Sequence, residues 1–123
     1  MDWKIELIMV PVSDPDRAKE FYVQKLGFHA DVDQAPNPHI RFIQCTPPGS
    51  ACSIAFGKGI SPMKPGEQKG IQVVVKDVAK VRQQLVDQGV EVTEVDEMPW
   101  GKFVFFKDPD QNAWTLQELP KRA

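Results

Sequence analysis

The chain has 123 residues, of which 41% are hydrophobic and 26% are charged, so it is long enough for one globular domain with a core of its own. Fifteen basic and seventeen acidic residues give a net charge of −2, which argues against a nucleic-acid-binding protein because no basic stripe is available for phosphates. The apolar runs are too short for a transmembrane helix, and the first residues lack the layout of a signal peptide.

The cysteine and proline content restricts the possible fold class and the kinds of site further. Cys45 and Cys52 do not form a CxxC pair, and two thiols alone cannot make a zinc site, so we expect reduced thiols in or near the core of a cytoplasmic protein. The eleven prolines show no periodicity, which excludes a collagen-like chain. They predict many fixed turns and argue against an all-helical fold.

The first half of the chain predicts one helix among four strands. Residues 5–12 are apolar and β-branched, which predicts a strand. Asp14 followed by Pro15 predicts a helix start, and apolar residues at helical spacing carry that helix over residues 15–26, where Gly27 ends it. The further predicted strands are residues 28–32, 40–45 and 52–56, with a polar loop at 34–38.

The second half repeats this order. Asp77, like Asp14, follows an apolar strand and precedes a helix closed by glycine, here Gly89. The predicted strands of this half are residues 71–75, 90–95, 103–106 and 113–117. Because the layout recurs after about half the chain, we predict an α+β fold of two βαβββ modules, about residues 1–60 and 68–123.

Five ordered segments resemble a known family. They are Val12-Ser13-Asp14-Pro15-Asp16-Arg17-Ala18, Phe21-Tyr22, Leu26-Gly27-Phe28, Pro47-Pro48-Gly49-Ser50 and Asp108-Pro109-Asp110-Gln111-Asn112. Together they are similar to the vicinal oxygen chelate (VOC) superfamily, the glyoxalase/bleomycin resistance protein/dioxygenase group. The ending Trp114-Thr115-Leu116-Gln117-Glu118 resembles the branch that carries a DPDGNxWxLQE-like signature, with Gln111 where that branch mostly has glycine.

The resemblance implies a single VOC domain over residues 1–123, with two modules curled into a cup that holds the site. It also implies a homodimer. In metal-using members each of four strands supplies one His or Glu ligand, and these positions fall at Leu7, Ala55, Gly70 (or Ile71) and Thr115. None of them carries an imidazole or a carboxylate. Shifting the strand register by one residue would bring only Glu6 to a ligand position, and its side chain would then point to the opposite face of the strand. We therefore expect no metal and no other cofactor.

Strand alternation from these positions predicts the wall of the cup. The predicted ligand-binding residues are Leu7, Met9, Phe42, Gln44, Ala55, Gln72, Trp100, Phe103, Phe105, Thr115 and Gln117. For the strands at 40–45 and 103–106 the reversed assignment remains possible, and their phenylalanines would then lie in the core instead of the cup. Arg41 has two open roles, clamping an anionic ligand at the rim or pairing with a surface carboxylate. No catalytic residue can be named.

The sequence predicts a metal-free small-molecule-binding protein of the glyoxalase/bleomycin resistance type, with its ligand in the sheet cup. One alternative is a lyase, isomerase or dioxygenase of the same superfamily, using an unexpected metal set or an acid/base such as His39 or Glu6. Another is an interaction module whose cup has lost its function. We expect neither nucleic acid nor membrane as a partner.

Overall fold

The computed structural model describes residues 1–121 and consists of two βαβββ modules in succession. The first module contains β1 (Leu7–Met9), α1 (Pro15–Lys19), a π-helical continuation (Glu20–Lys25), β2 (His29–Asn37), β3 (Ile40–Thr46) and β4 (Ser53–Lys58). The second contains β5 (Ile71–Val74), α2 (Val78–Asp87), β6 (Asp96–Met98), β7 (Gly101–Lys107) and β8 (Ala113–Glu118). The predicted duplicated fold is confirmed.

Each module forms one mixed four-stranded sheet. The strand orders are β1-β4-β3-β2 and β5-β8-β7-β6. In both sheets the first strand lies parallel to the last, and the remaining neighbours are antiparallel. Within residues 1–121 we find no helix with the length and apolar character that crossing a membrane would require.

The first helix begins where the sequence predicts and changes its pitch halfway. The Asp14 side chain accepts hydrogen bonds from the backbone amides of Asp16 and Arg17, which satisfies donors that the first turn leaves free. From Glu20 onward the turns widen, and the Leu26 amide reaches the carbonyl five residues back. Phe21 and Tyr22 are both buried, so two consecutive aromatic side chains of this segment enter the core.

Three predicted strand boundaries are wrong. The predicted loop at 34–38 belongs mostly to β2, which runs to Asn37 with irregular pairing around Pro36; an edge strand tolerates a proline because its outer N–H needs no partner. The first strand ends at Met9, and Pro11 lies beyond it. Residues 90–95 form only an isolated bridge, Val92 to Phe106, before β6 begins.

One hydrophobic core joins the two modules. Every second residue of the first sheet's strands, such as Ile43, packs in this core together with every second residue of the second sheet's strands, such as Val104. The first helix lies between them, with the Phe21 ring 6.3 Å from Phe106 and the Tyr22 ring 5.6 Å from Trp114, centroid to centroid. Because both sheets turn their helix-covered face to this core, the opposite face of each sheet points away from it. We call these opposite faces the first and second outer faces.

A buried polar network fixes the turn between β7 and β8 to the first module. The Tyr22 hydroxyl donates to Asp108 Oδ2 at 2.6 Å and accepts from Trp114 Nε1 at 3.0 Å. Asn112 Nδ2 donates to Asp108 Oδ2 and to the Pro11 carbonyl, at 2.8 and 2.7 Å. Burial, followed by the Asp108 charge, raises the pKa of Tyr22 well above its usual value. Every buried polar side chain of this network has a hydrogen-bond partner within the protein.

The same turn contains Gln111, which stands where the DPDGNxWxLQE-like signature has glycine. Gln111 adopts a φ of 72°, a left-handed conformation that is unfavourable for a side chain with a Cβ. Its amide donates to the Asp108 carbonyl at 3.0 Å. Glutamine therefore occupies a left-handed position of this turn, at a local energetic cost.

Candidate functional site

The first outer face gathers the predicted residues of the first module. Ile43 and Cys45 lie in the core, so Phe42 and Gln44 lie on the opposite face of β3. Gln44 pairs with Ala55, and Ala55 in turn pairs with Met9. The predicted residues on this face are Leu7, Met9, Phe42, Gln44 and Ala55.

The second outer face gathers the predicted residues of the second module. Thr115 pairs with Gln72 on one side and with Phe105 on the other, and Gln117 pairs with Phe103. Val104 and Phe106 belong to the core cluster, so the odd-numbered residues of β7 lie on the opposite face, where Phe105 is 40% exposed. The predicted residues on this face are Gln72, Phe103, Phe105, Thr115 and Gln117, with Trp100 in the turn beside it.

Two hydrogen bonds and one pair of stacked rings organise the second outer face. Gln72 Nε2 donates to Gln117 Oε1 at 2.7 Å, and Gln117 Nε2 donates to the Trp100 carbonyl at 3.0 Å. The rings of Phe103 and Phe105 lie nearly parallel, at 8° and 6.4 Å between centroids. Phe103 is buried while Phe105 remains open to solvent. The face therefore offers an aromatic surface bordered by an ordered amide pair.

A cavity of about 640 Å³ lies at the end of the second outer face. Of the predicted residues only Phe105 and Thr115 line it. The other residues that line it include Lys69, Glu91, Thr93, Lys107, Gln111 and Ala113. Lys107 is two residues beyond Phe105, so alternation along the strand could have identified it. Lys69 and Glu91 lie in connecting segments, where no regular alternation predicts which way a side chain points.

Neither the cavity of the second outer face nor the smaller cavity of the first module is lined by residues of both outer faces. The second cavity, of about 270 Å³, lies beside the start of the first helix and contains none of the predicted ligand-binding residues. The shared core lies on the other face of both sheets, so the structure brings the predicted residues together as two separate groups, one on each outer face.

A polar cluster on the first outer face was missed by sequence reasoning. Thr46 Oγ1 donates to the Asp31 carboxylate and lies 2.7 Å from Ser53 Oγ. The exposed His29 Nε2 lies 3.6 Å from the other Asp31 oxygen. These residues come from three strands, and only the sheet register unites them. No local motif signals the cluster.

The sheet register also corrects the candidate metal positions. The Val10 amide donates to the Ala55 carbonyl, as the Val75 amide donates to the Gln117 carbonyl, so the strands of the two modules correspond at an offset of 65 residues. The helix caps correspond at 63, because the loop after β1 is two residues longer. Gly70 lies before β5, and Gln72 is the true counterpart of Leu7.

The donor chemistry at these positions does not fit a divalent metal. The facing positions of the parallel strand pairs carry only apolar, hydroxyl and amide side chains. These pairs are Leu7–Ser53, Met9–Ala55, Gln72–Thr115 and Val74–Gln117. Such metals prefer imidazole and carboxylate ligands here. Within residues 1–121 no three His, Cys, Asp or Glu side chains are grouped so that they could hold an ion.

The alternative roles of Arg41 are settled in favour of a structural ion pair. Arg41 Nε and Nη2 contact the two oxygens of Asp33 at 3.1 and 3.0 Å, and Nη1 contacts Asp16 at 2.6 Å. Lys19 Nζ adds a contact to Asp33 at 2.8 Å. Hydrogen bonds from Arg41 and then Lys19 lower the pKa of Asp33 to about 2. The cluster fastens the first helix to β2 and β3.

The core thiol is not a nucleophile. Cys45 is buried and unpaired, and burial, followed by the Asp31 charge, raises the pKa of its thiol to about 11. It therefore stays protonated at neutral pH, where only a thiolate would react.

Comparisons with known proteins agree with this architecture. Residues 4–116 match the Glyoxalase/Bleomycin resistance protein/Dioxygenase superfamily. The uncharacterized protein YetH of Bacillus subtilis (strain 168) is 31% identical over 119 residues, covering 94% of this chain and 98% of YetH.

Two solved structures from Streptomyces sp. CB03234 are similar. TnmS3, an antibiotic binding protein, is 34% identical with a TM-score of 0.88, and the match covers 97% of this chain and 98% of TnmS3. A glyoxalase/bleomycin resistance protein is 36% identical with a TM-score of 0.82, and the match covers 93% of this chain and 99% of that protein. Since the family match spans nearly the whole chain, the protein belongs to the Glyoxalase/Bleomycin resistance protein/Dioxygenase superfamily.

Proposed function

We propose that this protein binds a small, largely apolar and aromatic molecule on its outer faces without a metal. The observation that carries the proposal is the second outer face, where the open Phe105 ring, its stacked neighbour Phe103 and the Gln72–Gln117 pair adjoin a cavity of about 640 Å³. Binding pockets of drug-sized molecules have this size and this mixture of apolar wall and few polar groups. The similarity to an antibiotic binding protein supports the same class of ligand.

The proposal includes a homodimer. In one chain the two outer faces are separated by the core, so a closed cup requires the first outer face of one copy against the second outer face of another. Both groups of predicted residues would then meet around one ligand. Exposed apolar side chains are available for such contacts, among them Val74 at 56%, Trp100 at 60% and Trp3 at 87%. The two free thiols suit the reducing cytoplasm.

The enzyme alternative gains no specific support. Glu6 and His39, the side chains considered as acid or base, are exposed, and neither lines the cavity of the second outer face. A general acid or base must reach the reacting group of a bound molecule.

Calorimetric titration with planar aromatic compounds tests the proposal. We expect saturable binding, with one ligand per chain, that EDTA leaves unchanged and that returns the ligand chemically intact. Light scattering after size exclusion should give twice the chain mass. Phe105→Ala should weaken binding, while Val86→Ala, which removes an exposed apolar side chain from α2, should not. Binding that disappears with EDTA, or conversion of the ligand, would contradict the proposal.

A further inference from the structure

The cavity of the second outer face contains two lysines that serve no ion pair. Lys69 and Lys107 line it, and neither forms an ion pair within residues 1–121. By contrast Lys19, Arg41 and Lys102 are each held against a carboxylate. A chain with a net charge of −2 thus leaves two cations beside an aromatic ring that is itself open to solvent.

The surroundings leave the two amines able to bind an anion. Lys69 Nζ donates to the Gln111 carbonyl at 3.0 Å, which uses one of its three donors and anchors the amine at the cavity. Lys107 has the same outward direction as Phe105 on β7. Glu91 is the single carboxylate of the lining, so the two lysines outnumber the acidic residues that line the cavity.

The rest of the lining is that of an aromatic site rather than a phosphate site. Phe105 is open to the cavity, and Ala113 and Thr115 complete its floor on β8. The lysines are point charges without the glycine-rich backbone or the bidentate arginines that phosphate sites use. A flat ring against Phe105 gains stacking, and a carboxylate on that ring would reach the lysines at the edge.

We infer that the ligand of this site is an aromatic carboxylate, whose ring lies against Phe105 and whose anion is held by Lys69 and Lys107. The inference rests on the proposed small-molecule binding and adds the chemical class of the ligand. It gives the two lysines a role in selecting among aromatic molecules of the same shape, because a neutral isostere would lose the charge-assisted hydrogen bonds that the carboxylate makes.

The test compares 2-naphthoate with its neutral isostere 2-naphthamide by calorimetry. The wild-type protein should bind 2-naphthoate more tightly, and added salt should reduce the difference. Lys69→Gln and Lys107→Gln should each weaken 2-naphthoate binding by roughly two- to fivefold, because each removes one ion pair from an exposed lysine, and leave 2-naphthamide binding unchanged. Lys102→Gln is the matched control, since Lys102 lies on the same strand but on its opposite face.

The outcomes separate this inference from the proposed function. Equal affinity for both probes, with no effect of the two lysine variants, would overturn the aromatic carboxylate and leave small-molecule binding intact. Displacement of 2-naphthoate by inorganic phosphate at similar concentration would show a simple anion site and also overturn it. If neither probe binds the wild-type protein, both the inference and the proposed aromatic ligand fail.

Discussion

Removing the single hydroxyl of Tyr22 should destabilise the protein far more than a typical hydroxyl deletion. In Tyr22→Phe the Trp114 Nε1 donor, now bonded at 3.0 Å, is left buried without an acceptor, and the Asp108 carboxylate loses its bond of 2.6 Å. Tyr22 and Trp114 are 0% and 1% exposed, so water cannot replace the lost partner. An unsatisfied buried donor costs about 1–3 kcal/mol and a bond to a charged group contributes about 1.5–3 kcal/mol.

We therefore expect Tyr22→Phe to lower the free energy of unfolding by about 3 kcal/mol, which corresponds to a fall of about 10 °C in Tm for a chain of this size. Urea unfolding followed by circular dichroism gives the free energy. Ser50→Ala is the matched control, because Ser50 Oγ also donates one hydrogen bond and accepts one, both with Cys52, but at an exposed position. Its loss should stay below about 1 kcal/mol.

A double-mutant cycle assigns the loss to the network. Asp108→Asn alone places an amide where the Tyr22 hydroxyl and Asn112 Nδ2 both donate, so it should cost at least as much as Tyr22→Phe. The two changes together should cost clearly less than their sum, since they remove the same bond. A loss below about 0.5 kcal/mol for Tyr22→Phe, or strict additivity with Asp108→Asn, would refute this account of the network.

Three further predictions follow from the same structure. Tyr22 is the one tyrosine of the chain, and folding raises its pKa above the unfolded value near 10. Its contribution to stability is therefore complete below about pH 10 and is lost as the pH rises further. The absorbance of tyrosinate should appear only with unfolding, and an earlier signal from native protein would contradict this. Gln111→Gly should raise the free energy of unfolding by about 0.5–1 kcal/mol, because relief of the left-handed backbone exceeds the added entropy of the unfolded chain; urea unfolding measures it, and a loss of stability would count against strain at this turn. Phe106→Ala should lower the free energy of unfolding by about 3–5 kcal/mol because its ring is buried, whereas Phe105→Ala should lower it by under about 1 kcal/mol because its ring is partly open. A larger loss for Phe105→Ala than for Phe106→Ala would show that the two faces of β7 are misassigned.

Local rules were enough to predict the repeated architecture. Asp14 and Asp77 both cap helices with their own side chains, and a cap depends on a few neighbouring residues only. The alternation within β3 is likewise a local signal, although the sequence left open which face meets the core, and the structure places Ile43 there and Phe42 outside. These signals need no knowledge of distant parts of the chain, which is why they could be interpreted from the sequence.

The features that escaped sequence reasoning depend on distant contacts. Strand β2 continues through Pro36 because it lies at the edge of its sheet, a position that no local pattern specifies. Counting from a helix cap puts Gly70 at a ligand position, and a loop of different length in the two modules defeats such a count. Lys69 enters the cavity from a connecting segment, where direction is set by the turn at Gln111 that it contacts.

The outward direction of the two outer faces has a consequence for how this protein can change. Along β7 and β8 the residues that hold the modules together alternate one by one with those that would meet a ligand. Substitutions at every second position can therefore vary chemical selectivity while the packed layer beneath stays untouched. A library confined to positions 72, 105, 115 and 117 should yield a high fraction of folded variants, so that this scaffold can be turned toward new compounds in small steps.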